Sequence, residues 1–167
     1  MKIIETTRLV IREVNIADLD PLTDILSDAE VMRYSFRGVC TPSEIDNYIM
    51  DCQATYKATG FGQWAVIDKS SQKLIGLCGI NNGFNGDLVI KHVNYRFAVS
   101  SWGKGFATEA LSAVMEVAKY RYSLKELYAL IEPENKASLK IALNQGFEFE
   151  KETIYKDRAL VYYRKLL

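Results

Sequence analysis

Apolar residues recur along the chain at two spacings, and the points where one gives way to the other mark out its elements. Arg8-Leu9-Val10-Ile11-Arg12-Glu13-Val14 is short, β-branched and closed by Asn15, which predicts a first strand. Leu19, Leu22, Ile25 and Leu26 then share one face of a helix that Asn15 or Asp18 can cap, and Asp28 to Tyr34 predicts one further short helical turn. Arg37-Gly38-Val39-Cys40 breaks the pattern. Thr41, with Pro42 just inside and Glu44 three residues on, starts a second helix, whose stripe of Ile45, Tyr48, Ile49, Cys52 and Tyr56 runs to Gly60. These early helices are expected to form a lid.

Phe61 to Asp68 and Leu74 to Asn81 predict strands joined by the polar loop Lys69-Ser70-Ser71-Gln72, with Asn82-Gly83 through Gly86-Asp87 as the next turn. A central strand through Val93 to Val99 runs into a glycine-punctuated turn and then a helix, on which Ala107, Ala110, Leu111, Val114, Val117 and Ala118 recur at helical spacing. Glu126 to Ile131 predicts a buried strand. Pro133, a helix from about Lys136 to Gln145 with Gly146 as its stop, and strands from Phe147 to Tyr155 and Ala159 to Arg164 finish the chain. The predicted order is β-α-α-β-β-β-α-β-α-β-β, a mixed sheet flanked by helices in the α+β class, with one domain over residues 1–167.

The glycine-punctuated turn carries the first chemical signal. The leading N–H groups of a helix lack internal acceptors and sit at the positive end of its dipole, so an anion finds donors and a favourable field there. Gly103 and Gly105 let that backbone approach closely. A phosphate cradle and a plain tight connection both fit this spacing. A dinucleotide fingerprint does not, since Thr108 holds its third glycine position, and a Walker loop fails because Lys104 lies between the glycines.

Composition narrows the partners. With 167 residues, 49% of them hydrophobic, the chain can bury one ordinary core. Its 21 basic and 21 acidic residues cancel, which argues against nucleic-acid or anionic-membrane binding. Cys40, Cys52 and Cys78 lack metal-site spacing and, with His92 as the sole histidine, predict buried thiols and no metal centre. The amino-terminal residues lack the apolar run of a signal peptide, so the expected compartment is the cytoplasm; monomer and homodimer stay equally open.

Five stretches together resemble one family. Thr7-Arg8-Leu9-Val10-Ile11-Arg12, Val31-Met32-Arg33-Tyr34, Trp102-Gly103-Lys104-Gly105-Phe106-Ala107-Thr108-Glu109-Ala110, Asn135-Lys136-Ala137-Ser138 and Gly146-Phe147 occur in the order and spacing of the GNAT acetyltransferases, within them the RimJ/RimL-like branch that acetylates ribosomal-protein amino termini. The resemblance spans nearly the whole chain. It implies a mostly antiparallel sheet and acetyl-CoA as donor. By the same analogy, backbone from Gly103 through Lys104, Gly105, Phe106 and Ala107 to Thr108 holds the pyrophosphate, and main-chain groups of Phe97, Ala98 and Val99 hold the pantetheine arm like an added strand. Two positions depart from the family: Ser100, where many members carry Gln or Arg, and Ala142, where many carry the tyrosine that protonates the leaving thiolate. The RimJ/RimL branch commonly uses the serine matching Ser138 instead.

Acyl transfer to an amine needs a neutral amine, a stabilised oxyanion and help for the departing thiolate. His92 stands where the family often has a glutamate and is a candidate base; a surface strand histidine is the alternative. Asn135 and Ser138 share a helical face, with Asn135 assigned by the resemblance to the pantetheine and Ser138 to the sulfur, while Asn135 is also an ordinary N-cap residue. Trp102 is expected as a packing anchor, and Lys104 either touches phosphate or faces solvent. The implied acceptor is a primary amine, a protein amino terminus or a small amine, in a pocket that by family analogy Tyr34, Phe36, Tyr155 and Tyr162 line. A CoA-binding module without activity is the rival from another class.

Overall fold

The computed structural model describes residues 1–167. Its strands are β1 (Lys2–Glu5), β2 (Leu9–Glu13), β3 (Gln63–Asp68), β4 (Leu74–Asn85), β5 (Leu88–Phe97), β6 (Glu126–Ile131), β7 (Glu148–Tyr155) and β8 (Arg158–Leu166). Its helices are α1 (Leu19–Leu26), α2 (Pro42–Thr59), α3 (Phe106–Tyr120) and α4 (Lys136–Asn144). The strands form one eight-stranded sheet in the order β1-β2-β3-β4-β5-β6-β8-β7, antiparallel at every step except β5 to β6. This is the mixed, mostly antiparallel α+β sheet that the pattern and the resemblance imply.

Each face of the sheet has its own core. On one, Ala110, Leu111, Val114 and Ala118 of α3 and Ala142 of α4 pack against Trp64, Cys78, Val93, Phe97 and Leu127. On the other, α1 and α2 press Leu22, Ile25, Ile45 and Ile49 onto Ala65 and Leu77. The early helices are therefore a fixed layer rather than the expected lid, because their apolar faces are committed to the sheet.

Local chemistry explains most of the boundaries. Thr41 and Glu44 form a reciprocal cap, Thr41 N–H donating to Glu44 Oε2 at 2.7 Å and Glu44 N–H to Thr41 Oγ1 at 3.4 Å, and Gly60 closes α2 with φ at 80°. The predicted short helical turn at residues 28–34 is a single turn: Met32 N–H donates to Asp28 O at 3.0 Å, and Asp28 Oδ1 accepts from Glu30 N–H at 2.8 Å. The order gains β1, which is short and carries charge at both ends, so its strand character comes from pairing with β2 through Ile4 opposite Ile11 and Glu5 opposite Val10. Asn82 and Gly83 remain inside β4, and the reversal into β5 is made by Gly86 and Asp87 alone.

Asn15 caps a 3-10 turn at Ile16–Asp18 by accepting from Ala17 N–H at 2.9 Å. Asp18 makes no such bond to α1; its buried carboxylate takes two bonds of 2.7 Å from the Arg12 guanidinium and one of 2.9 Å from Asn15 N–H. Removing one partner of a buried pair strands the other charge. Asp18→Asn is accordingly expected to lower the unfolding free energy by about 3 kcal/mol, read as a shift in the urea midpoint at unchanged slope.

Candidate active site

The parallel step is where the sheet parts. β5 and β6 pair only at His92 with Tyr128 and Val93 with Ala129, yet β5 continues to Phe97 and β6 to Ile131. Ala98 N–H donates to Ile75 O at 2.9 Å, and antiparallel bonding alternates, so Arg96 and Asn94 also bond toward β4 while Tyr95 and Phe97 turn their main-chain groups toward β6. Beyond Val93 those groups have no facing strand. Ala98 therefore differs from its expected use: its N–H already serves β4, which leaves Phe97 and, at the start of the following 3-10 turn, Val99 with N–H groups that no backbone acceptor takes.

The exposed side of this slot leads into the glycine turn. Gly103 and Gly105 take φ of 72° and 77°, the left-handed region that favours glycine, and a Cβ at Gly103 would meet nothing within 4 Å. Gly105 caps α3 without any side-chain bond, so the first N–H groups of α3 lack side-chain acceptors. Lys104 Nζ is held by Ser100 O at 2.8 Å. Trp102 is 47% exposed and no buried anchor; its indole N–H donates to Phe97 O at 2.8 Å, strapping the turn to the end of β5. A cavity of about 650 Å³ lies on the β1–β2 side of the turn, lined in part by Glu5, Thr6, Gly105, Thr108, Glu109 and Glu116. Phe106 and Ala107 are half-buried.

The cradle is fastened from behind by residues that local patterning gave no reason to select. Glu109 in the first turn of α3 accepts from Thr6 Oγ1 at 2.6 Å, Arg8 N–H at 3.0 Å and Arg8 Nε at 2.6 Å. Arg8 also donates to Lys104 O at 2.8 Å and lies over the Phe106 ring. Burial opposes ionisation of Glu109, but the bonds from Thr6 and Arg8 outweigh it and hold its carboxyl below the ordinary value.

His92 and Ser138 flank the slot from opposite faces. Ser138, in the first turn of α4, has its carbonyl bonded by Tyr95 OH at 2.9 Å, a bridge across the parting that sequence reasoning missed. Its N–H is capped by Asn135 Oδ1 at 3.2 Å, so the Asn135 side chain is an N-cap whose amide nitrogen remains free. Ala142 is fully buried in the core, which leaves no room there for a tyrosine acid. His92 shares the opposite face with Ile90 and Tyr128, its ring against Gly83, where a Cβ would lie 2.8 Å from His92 Cδ2. Burial pushes the imidazole pKa down, and main-chain groups of Val93 and Asn82 act against that shift. His92 is therefore neutral at pH 7.

On the His92 face, Phe36, Tyr128 and Tyr162 gather with Ile90 and Leu160. Phe36 meets Tyr155 edge to face at 5.0 Å, and Tyr34 OH donates to Glu134 O at 3.1 Å, so residues 34–36 cross the sheet from the helical layer to the β6–β8 side. The four aromatics expected around the acceptor thus come to one region. Glu132 is ion-paired with Arg158. Cys78 is fully buried with its thiol pushed far up in pKa, unsuited to a nucleophile.

Residues 8–148 match the model of the acetyltransferase (GNAT) domain. The uncharacterized N-acetyltransferase p20 of Bacillus licheniformis is 31% identical over 94% of this chain and 87% of its own length. The crystal structure of a GNAT-family acetyltransferase from Bacillus anthracis superposes with a TM-score of 0.84 at 24% identity, covering 99% of this chain and 98% of that one. RimL, a ribosomal L7/L12 alpha-N-protein acetyltransferase in complex with coenzyme A, gives 0.83 at 15% identity, covering 100% and 98%. With a parted sheet, an uncapped helix start behind paired glycines and a family match over most of its length, the chain belongs to the GNAT acetyltransferases.

Proposed function

We propose that this acetyltransferase uses acetyl-CoA to acetylate a primary α-amino group, with a protein amino terminus as one acceptor of that kind. The observation that carries the reading is the uncapped start of α3 behind Gly103 and Gly105, continuous with the unpaired edge of β5. A diphosphate suits the first feature and an amide-bearing arm the second. When bound, acetyl-CoA supplies an activated thioester acyl group.

The chain's residues then have separate tasks. The Phe97 N–H is available to polarise a carbonyl laid along β5. Ser138 Oγ, without another bond, can give a proton to a departing thiolate, and the free Asn135 amide can hold the arm. His92, neutral because it is buried, can take a proton from the acceptor directly or through water. An α-amino group, with a pKa near ~8, loses its proton far more readily than a lysine near ~10.4, which favours α-amines for so weak a base. A polyamine acceptor fits less well: it calls for several free carboxylates, whereas Glu132 at this face is neutralised by Arg158 and Glu150, bonded by Tyr128 OH at 3.3 Å, is a single exposed carboxylate without an ion pair. The likeness to RimL supports the amino-terminal acceptor as analogy of fold.

Incubation with acetyl-CoA and an amine panel should release coenzyme A thiol and add an acetyl mass to α-amines; no release from any amine would end this reading. Gly103→Val forces a left-handed β-branched residue into the turn, and titration calorimetry should show coenzyme A binding weakened at least about tenfold. His92→Gln should lower kcat with little change in coenzyme A affinity. In the wild type, activity should fall on the acid side as the imidazole protonates, with a midpoint below the ordinary value of about 6.5. That limb should vanish in His92→Gln.

A further inference from the structure

The arginines of this chain divide by what they touch. Arg8, Arg12, Arg158 and Arg164 are ion-paired with Glu109, Asp18, Glu132 and Glu126. Arg33, Arg37 and Arg121 are exposed and lie over tyrosine rings. Arg96 has neither arrangement. It is largely withdrawn from solvent on β5, and its one bond is a long 3.5 Å contact from Nη2 to Ser35 Oγ. Its charged and titratable neighbours are Arg37, Tyr48 and Cys40, none of them an anion at neutral pH. Burial depresses its pKa, the mark of a cation short of counter-charge.

A guanidinium carries five donors in a planar fork that matches a carboxylate. Leaving it nearly unpartnered under a protein layer is costly unless an anion completes it. Its position says where that anion comes from. Arg96, Asn94 and His92 alternate onto the same face of β5, beside the slot where the strand loses its neighbour and beneath residues 34–36 that cross the sheet. Resting on the acetyl-transfer reading of this site, we infer that Arg96 binds a carboxylate carried by the acceptor, so that the preferred substrates are amines bearing an acid group close to the amine. Free amino acids and peptides with an acidic first residue share that chemistry.

The test compares acid and amide partners: glutamate with glutamine α-amide, and peptides beginning with Glu or Gln. For the wild type, kcat/KM should favour the acid partner by about 10- to 100-fold, the worth of a charge-assisted bond. The pair that shows the preference separates amino acid from peptide acceptors. Arg96→Gln should bring the ratio near one and Arg96→Lys should keep part of it, with circular dichroism checking the fold. Parity in the wild type, or a preference that survives Arg96→Gln, would overturn the assignment.

A second arm needs no turnover. With coenzyme A present, N-acetylglutamate should shift the Arg96 Nε–H resonance while N-acetylglutamine α-amide does not. Equal shifts or none would reject the carboxylate site. Absence of thiol release across the amine panel would instead count against acetyl transfer itself, so the two failures are distinguishable.

Discussion

Two residue pairs hold the halves of this sheet together. Five antiparallel strands end at β5, three begin at β6, and only His92 with Tyr128 and Val93 with Ala129 join them as a ladder. Full pairing would satisfy every inward backbone group and leave no slot. Stopping it after Val93 leaves polar backbone at Tyr95 and Phe97 without sheet partners, a cost that proteins seldom carry in a core. The parting is bridged without being closed where Tyr95 OH reaches Ser138 O, and Trp102, folding back to Phe97 O, fixes the end of β5 on its own side of the slot. An edge kept open in this way can accept an extended, amide-bearing molecule at little reorganisation.

The cradle beside the slot presents an electrostatic conflict. Glu109 sits in the first turn of α3, where its charge suits the helix dipole but repels an anion at the same terminus. Three bonds from Thr6 and Arg8 resolve this by turning the carboxylate toward the β1–β2 connection. Arg8 compensates the charge and, through Lys104 O, also fixes the path of the glycine turn. The amino-terminal segment thus sets the field at a site formed by residues about a hundred positions later.

Much of the fold was legible because its signals are local. The Thr41 and Glu44 cap, the Gly60 and Gly146 stops and the stripe of α3 depend on neighbours within a turn or two, and each stands where the pattern put it. The glycine turn was legible for the same reason. What escaped depends on distant partners: β1 on β2, Glu109 on Arg8, Tyr95 on α4, and Asp18 on Arg12 rather than on the helix beside it. The unpaired edge of Phe97 follows from where a parallel ladder ends, which no residue type encodes.

Asn82-Gly83 shows how a local signal misleads. The dipeptide has the chemistry of a turn, yet both residues lie in the β4 ladder. Glycine within a strand weakens it and invites a packing reason. At Gly83 that reason is the ring of His92, which occupies the space of the missing side chain; at Gly76 it is Phe97, whose ring carbon lies 2.5 Å from where a Cβ would be. Two rings of β5 lie over glycines of β4, one near each end of the segment that borders the slot. The strand opposite the open edge has given up side chains so that β5 can seat both its histidine and the residue that offers the free N–H. Substrate geometry is in this sense written into β4, a strand that contributes no reacting group.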